Sequence, residues 1–540
     1  MADLPSRSLE RPTDGIDAEL RYFRENFDTL LVDLARSLNG VLPACKSAAF
    51  WRVLAGPWLH TFTAFTLMQL KAGQPAAAAP PTRYVPAAYG DFARASHLES
   101  YVRLVVADAS QAEVLPSEPA PEPSAPDWRQ RLRILVKAAH WRVQGILCPG
   151  ADVVIRAGYF PRSAAVKLWW RGRGRVRFDW REHGWQADDL PVDQTRRAAL
   201  AEGLLRPGMA GIDAVLRRLI PLHLPRTYLE GFERLAAAAA RAYRKPAAAY
   251  FTCNALWHDE VFKFHAAEAR DAGSRLLIGQ HGGNHGIWET LLDEAFERGT
   301  ADRYCTWGWR EDQRTVALPA PKLMEVRPRE RIGLQPEILF TATAAVAVDN
   351  SINSLTTKPP NDEYLAWQMR FIAALPPALR PRLRFRFLRD WIGGFWAPLK
   401  ARFPEVMAES SYDGASFPSR LAACRLFVSD HLSTTYAEAL ASDTPTILFW
   451  DPAFVAIRPA ARPFFDALHR CGILHYTPES AAAEAAAAFA DPESWWADPA
   501  RRQAVEHFRR NYLLMADKAV DLWVNFLLDE ARSHAYPPQA

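Results

Sequence analysis

The spacing of apolar positions divides the chain into a helical beginning and a long stretch in which short strands and helices take turns. Between residues 17 and 72 the apolar side chains recur at helical spacing: Leu20, Phe23, Phe27, Leu30, Leu31 and Leu34, then Phe50, Leu54 and Leu59. Two Ala/Pro-rich stretches follow, at 73–91 and 115–127. The second mixes acids with its prolines and reads as a flexible loop. From Trp128 to about Gly333 apolar strands and helices alternate, among them residues 152–155 and 166–169. Residues 212–219 and 228–242 carry helical patterning, and Pro221 and Pro225 are expected to break the chain between them. Tyr250 and Phe251 form a short strand leading into a helix over 259–271 and a strand over 275–279. A second alternation starts at Pro336, with strands over 337–341 and 383–387 and a helix over 364–374. A strand, a turn, a helix start and a second strand then fall within 426–449, and a helical region runs from Pro499 to Ala535.

Alternating strands and helices predict an α/β fold of parallel, doubly wound sheets. At 540 residues the chain exceeds one ordinary core, so two domains are expected, residues 1–330 and 331–540. Hydrophobic residues make up 49% and charged residues 23%, the balance of a folded protein. A net charge of +4, with basic residues dispersed among acids, gives no nucleic-acid partner. The cysteines Cys45, Cys148, Cys253, Cys305, Cys424 and Cys471 include no C-x-x-C pair, so neither a zinc cage nor a disulfide framework is expected, and a reducing cytoplasm is the expected compartment. No apolar run approaches the ~20 residues of a membrane span. The N-terminus has no basic-then-apolar signal, and contact with a membrane surface stays open.

Two polar clusters stand out against this background. The first follows the strand over 275–279 and reads Gln280-His281-Gly282-Gly283-Asn284-His285-Gly286. Its glycines let backbone approach a ligand closely, and its side chains place amides and imidazoles there; a plain glycine turn with surface histidines is the competing reading. In the second, an apolar run ends in Ser429-Asp430-His431, and Ser433-Thr434-Thr435 open a helix. Helix starts present unpaired N–H groups that favour phosphate. An N-cap accounts for one hydroxyl but not for the whole cluster at the carboxyl end of a parallel strand. Glu438 lies on the same short helix, placed to bind a ribose hydroxyl or to face solvent.

Other positions carry weaker signals. Arg389 follows a strand bearing Arg384 and Arg386 and is placed to reach a phosphate or an acidic sugar, whereas the alternating pair fits one solvated strand face. Asp259 and Glu260 are accounted for by the dipole of the helix they open. Trp307 and Trp309 are candidates for stacking on a sugar, with core packing as the competing role.

The stretches Gly279-Gln280-His281-Gly282-Gly283 with Gly286, Thr306-Trp307-Gly308-Trp309, Ser429-Asp430-His431 with Ser433-Thr434-Thr435, and Pro445-Thr446-Ile447-Leu448-Phe449-Trp450 resemble a transferase family encoded in bacterial O-antigen and surface-polysaccharide loci. Further matches at Leu38-Asn39-Gly40, Phe50-Trp51-Arg52, Gly56-Pro57-Trp58-Leu59 and Gly472-Ile473-Leu474-His475 extend the resemblance over most of the chain. The hydroxyl triplet also resembles the pair with which GT-B sialyltransferases, Kdo transferases and glycerophosphate polymerases hold donor phosphates. The chain departs from the family pattern at His285, where a tyrosine is usual. It also lacks the His-Pro pair of the sialyl- and Kdo-transferase groups.

The resemblance implies a GT-B-like fold: two Rossmann-like domains with an interdomain cleft, additional N-terminal helices, and a terminal helix crossing back to the first domain. The expected activity is transfer of a sugar from a nucleotide-activated donor to an O-antigen-type surface-polysaccharide acceptor, lipid-linked or oligosaccharide, at the inner face of the cytoplasmic membrane. No Asp-x-Asp pair is placed to hold a metal-bound diphosphate, so neither a metal nor a cofactor is expected. His281 is the expected general base or leaving-group stabiliser, its ordinary pKa lying near working pH, with Asp430 and His431 as further catalytic candidates. Gln280, Gly282, Gly283, Asn284, Gly286, Arg389, Ser433, Thr434, Thr435 and Glu438 are expected to bind substrate. The rival readings are a CDP-glycerol-type glycerophosphotransferase, a GT-B-fold sugar-nucleotide epimerase and a non-catalytic polysaccharide-assembly protein.

Overall fold

A computed structural model describes residues 18–72, 128–147, 150–328, 335–343, 361–387 and 394–533, save Gln186, Asp188, Thr290 and Asp413. The loop expected at 115–127, the boundary expected near 330, and Arg389 lie outside the described residues. The apolar runs of the first half become six strands: β1 (Val153–Arg156), β2 (Val176–Asp179), β3 (Ala249–Thr252), β4 (Arg275–Gly279), β5 (Arg303–Thr306) and β6 (Thr315–Ala317). They lie in the order β2-β1-β3-β4-β5-β6, every pair parallel. The second half gives β7 (Ile338–Ala342), β8 (Leu383–Phe387), β9 (Met407–Ser410), β10 (Leu426–Ser429), β11 (Thr446–Phe449) and β12 (Leu474–His475). Their order is β12-β11-β10-β7-β8-β9, again all parallel. Every residue of β3, β7, β10 and β11 is buried, as expected of parallel strands with helices on both faces.

Each sheet reverses its winding direction once, between β1 and β3 in the first and between β7 and β10 in the second. Loops leaving the carboxyl ends of the strands on either side of such a reversal diverge and leave a crevice, the usual ligand position in open α/β sheets. The second sheet has the strand order of a dinucleotide-binding Rossmann domain.

Some elements differ from expectation. Residues 166–169 belong to the helix Arg162–Arg171. The helix Gly211–His223 continues through Pro221, whose lost N–H is offset by the burial of Leu216, Leu219 and Ile220 on one face. Pro225 instead caps the 3₁₀ turn Arg226–Tyr228, and the next helix begins only at Phe232. The helices Ala18–Val41, Ala48–Leu54 and Gly56–Ala72 cover the first domain, with Phe50 edge-on to Phe232 and Phe264 and Trp51 tilted against Phe232. Arg384 and Arg386 do not form a solvated face: both pair with Glu409, which also takes Arg420. Among the described residues no helix is long and apolar enough to cross a membrane, and none of Cys45, Cys253, Cys305, Cys424 and Cys471 is in a disulfide.

Several contacts join the two domains. Trp288 and Ile457 form an antiparallel bridge, flanked by hydrogen bonds from the Arg458 N–H to the Ile287 carbonyl (2.7 Å) and from the Glu289 N–H to the Ala456 carbonyl (3.0 Å). After the helix Pro499–Tyr512, Leu514 hydrogen-bonds to Trp307 and Ala320 of the first domain. The last helix, Ala519–Arg532, then packs Trp523, Val524 and Leu527 into the core under β1, β2 and β3.

Candidate functional site

The two polar clusters emerge from carboxyl strand ends, the first from β4 and the second from β10, and the fold brings them into contact. A Cβ added at Gly283 would overlap the Ser433 carbonyl and touch the Tyr436 ring. The Tyr436 hydroxyl donates to the Gly283 carbonyl at 2.6 Å. Glycine is required there because two backbones meet with no room for a side chain.

On the second-domain wall, Ser433 is the N-cap of the helix Thr434–Ala441. Its hydroxyl accepts from the Thr435 N–H at 3.2 Å and lies 2.8 Å from the Thr435 hydroxyl. Ser433, Thr434 and Thr435 are all partly exposed, so hydroxyls and free N–H groups face the cleft together. At its other end this helix is braced by Arg509, which donates to the Leu440 carbonyl at 2.7 Å, a cation at the negative end of the dipole.

Beside it, Asp430 is buried and hydrogen-bonded. Its carboxylate accepts from Tyr364 (3.0 Å), Gln368 (2.7 Å) and His431 Nδ1 (2.8 Å). A carboxylate only accepts, so Nδ1 of His431 carries the proton and Nε2 is the open nitrogen. With these donors on it, the carboxylate fixes the orientation of His431. Thr341, next to last in β7, is in register with Ser429 of β10, and its buried hydroxyl has no partner among the described residues. An unspent polar group at the reversal point of a Rossmann sheet marks a ligand position.

The first-domain wall differs. Gln280 is buried and its amide is spent internally. Its oxygen accepts from the Trp307 N–H and the Trp309 indole, both at 2.9 Å, and its nitrogen donates to the Gly282 carbonyl at 2.8 Å. Gln280 therefore shapes the loop and does not bind substrate as expected. Trp307 and Trp309 are themselves buried, which excludes sugar stacking. Gly286, at φ 73°, lies against the Trp309 ring. Its N–H donates to Glu294 at 2.6 Å, so it too is structural. Asn284 and Gly282 sit within the same turn, where a Cβ on Gly282 would collide with the Asn284 side chain.

His281 is three-quarters buried, its Nδ1 3.4 Å from Glu297. Burial, helped by the nearby Lys322 charge, pushes its pKa down to about 4. It is thus neutral at working pH, further from ideal tuning than its ordinary value suggested. Burial pushes the Glu297 carboxyl well up, against the hydrogen bonds from Trp257 and Tyr304.

Three participants were not visible in the sequence. Tyr159, in the loop after β1, and Asn254, in the loop after β3, hydrogen-bond across the reversal point of the first sheet. Ala157 and Tyr159 hold φ of 51° and 57° there, a costly backbone state that clusters at functional sites. Lys322 extends over the Tyr159 ring and reaches within 3.9 Å of Glu438 across the domain interface. Glu438, left between ribose and solvent by the sequence, is mostly buried; burial raises its pKa, with Lys322 opposing. A positive-φ non-glycine pair beside a short strand gives no sequence signal, and Lys322 is one lysine among many.

Two parallel Rossmann-like sheets whose carboxyl-end loops meet across a cleft define a two-domain α/β protein of GT-B-like organisation. Residues 95–527 match the LIC12162 family transferase, and the chain belongs to that family; it is a transferase. No curated protein sequence matches it. Similar solved structures include an α,α-trehalose-phosphate synthase (UDP-forming) from Burkholderia vietnamiensis, at 13% identity and TM-score 0.37, covering 71% of this chain and 99% of that one. The glycosyltransferase SnogD from Streptomyces nogalater matches at 15% identity and TM-score 0.35, covering 71% and 99%. The wall teichoic acid polymerase TagF matches at 8% identity and TM-score 0.34, covering 76% and 99%.

Proposed function

We propose that this transferase moves a sugar from a nucleotide-activated donor to an O-antigen-type polysaccharide acceptor, lipid-linked or oligosaccharide, at the inner face of the cytoplasmic membrane. The observation that carries the reading is the Gly283–Ser433 contact, which sets a phosphate-binding helix start and an imidazole on facing walls of one cleft. The donor's phosphates lie at the N-terminus of the helix Thr434–Ala441, held by Ser433, Thr434, Thr435 and the free N–H groups. As the glycosidic carbon–oxygen bond breaks, the electron pair passes to the phosphate oxygen. The preorganised donors stabilise that charge with no metal bridging the diphosphate. His431, fixed by Asp430, adds a second imidazole on the leaving-group side.

His281 takes the proton from the acceptor hydroxyl. Its low resting pKa keeps it unprotonated, and the negative charge of a bound donor raises its basicity where it is needed. Lys322 counters the donor's charge from the first domain, and Glu438 is placed for a ribose hydroxyl once the donor draws Lys322 toward phosphate.

The test is a thermal-shift panel of CMP, CDP, UDP, GDP and their sugars on the full chain, with products read by mass spectrometry. A cognate nucleotide at 100 times its Kd stabilises by about 2.7 kcal/mol. The double substitution Ser433→Ala with Thr434→Ala is expected to weaken that nucleotide about ten-fold or more, since hydrogen bonds to charged groups contribute roughly 1.5–3 kcal/mol. Unchanged affinity in the double variant would overturn the phosphate assignment. A glycerophosphate product in place of a sugar would replace the donor class while keeping the site.

A further inference from the structure

We propose that His281, His285 and Glu297 form a binding site for a divalent transition-metal ion of the zinc type, set in the first-domain wall of the cleft. One ligand atom from each of the three lies within 4.8 Å of the others. The two imidazoles come from the loop after β4, their ring centroids 4.4 Å apart. Glu297 comes from the helix Leu292–Thr300, which packs against that loop.

Three observations point to a missing cation. First, His281 Nδ1 is buried without a hydrogen-bond partner, although Glu297 Oε1 is only 3.4 Å away. That separation is too long and poorly directed for a hydrogen bond, but it matches the edge of a zinc tetrahedron, about 3.3–3.5 Å for ligands about 2.0–2.1 Å from the metal. Second, the surrounding hydrogen bonds orient lone pairs inward. The Tyr304 hydroxyl donates to Glu297 Oε2 (3.2 Å) and lies 2.7 Å from His285 Nδ1. Nδ1 of His285 therefore carries its proton and Nε2 is left as the basic nitrogen. The Trp257 indole donates to Glu297 Oε1 at 2.7 Å. Outer partners of this kind fix the tautomer and orientation of metal ligands. Third, Glu297 is almost wholly buried with no guanidinium or ammonium paired to it among the described residues, whereas the adjacent Glu294 takes Arg458 and Arg298. Burial alone favours the neutral acid at Glu297, and a divalent ion beside two imidazoles supplies the charge that would hold it as a carboxylate.

Two imidazoles and one carboxylate suit zinc over magnesium or calcium, which prefer all-oxygen shells. Three protein ligands leave the fourth position open toward the cleft. Closing the set to bonding distance takes shifts of order 1 Å, within the reach of side-chain rotation.

The inference rests in part on the proposed function, because an ion on Nδ1 of His281 alters the group assigned as base. Ion binding and turnover are measured separately. Cobalt(II) and zinc(II) are titrated into the full chain stripped with a chelator, following the cobalt d–d absorption and the heat of zinc binding. One ion per chain is expected, with affinity lowered at least ten-fold in Glu297→Gln and in His285→Ala. His281→Ala, at a partly exposed position, gives the same readout should a buried substitution fail to fold. No binding to the wild type, or affinity unchanged in Glu297→Gln and His281→Ala, would overturn the site. If no ion binds while His281→Ala is inactive in transfer, the metal site falls and the base assignment stands. If the ion binds as expected while His281→Ala keeps full turnover, the reverse holds.

Discussion

The two walls of the cleft are built from the same local device, a parallel strand running into a polar turn, yet they spend their polar groups in opposite ways. The loop after β4 turns its amide inward: Gln280 ties itself to Trp307, Trp309 and Gly282, and Gly286 and Glu294 close the turn from below. The turn after β10 buries only its carboxylate, on Tyr364, Gln368 and His431, and leaves Ser433, Thr434 and Thr435 partly exposed. One wall is therefore a rigid frame around the imidazoles of His281 and His285, and the other is an open set of hydroxyls. A polar residue in a strand-end turn is a ligand group only when its hydrogen bonds are not already taken by the scaffold.

Three substitutions or conditions sharpen this contrast, from the largest effect to the smallest. His281→Ala is expected to lower kcat roughly 10²- to 10⁴-fold while leaving nucleotide affinity intact, measured by turnover alongside binding; near-normal turnover would move the chemistry to His431 on the other wall. Gly283→Ala forces a Cβ into the Ser433 carbonyl and wedges the walls apart. It is expected to cost about 1–3 kcal/mol in urea unfolding, the usual penalty of overpacking, and to depress donor binding as well. An effect on stability without one on binding would show that the contact joins the domains but does not shape the donor site.

The smallest effect, per group and per pH unit, is a pH dependence carried by buried imidazoles of the first domain and its helices. Burial lowers His60 to about 3 and His265 to about 4, from an ordinary 6.5. In the unfolded chain both take up protons near pH 6.5, while the folded chain resists. Stability is therefore complete above about pH 6.5 and falls as the pH drops toward 4, by at most about 1.4 kcal/mol per pH unit for each histidine. Urea midpoints at pH 7 and pH 5 check this, and His265→Gln should flatten part of the slope.

The second wall was more legible in the sequence than the first. Over 426–449 each signal is local: a buried strand, a serine cap, a short apolar helix and a proline before the next strand, and each appears where it was expected. The α/β character and the parallel strands followed from periodicity in the same way. Local signals could not show how a group is used. Gln280 and Asp430 look like exposed polar residues until Trp309 and Gln368, distant in sequence, occupy them. Tyr159 and Glu297 enter the site through crossover connections and Lys322 through the turn after β6, placements set by topology that leave no spacing to read. Trp307 and Trp309 show the same gap, since their burial depends on strands and helices far along the chain.

The helix Ala519–Arg532 places Trp523 and Leu527 beneath strands that were made hundreds of residues earlier. During synthesis, the underside of the first sheet therefore stays uncovered until the last helix has left the ribosome. The first domain cannot finish folding as an N-terminal unit, and the second domain must be threaded before the first is sealed. The nascent protein thus carries an exposed apolar face for most of its translation. A premature stop after the helix Thr434–Ala441 and before Ala519 would leave that face as an aggregation site, even though the residues of both cleft walls would already be present.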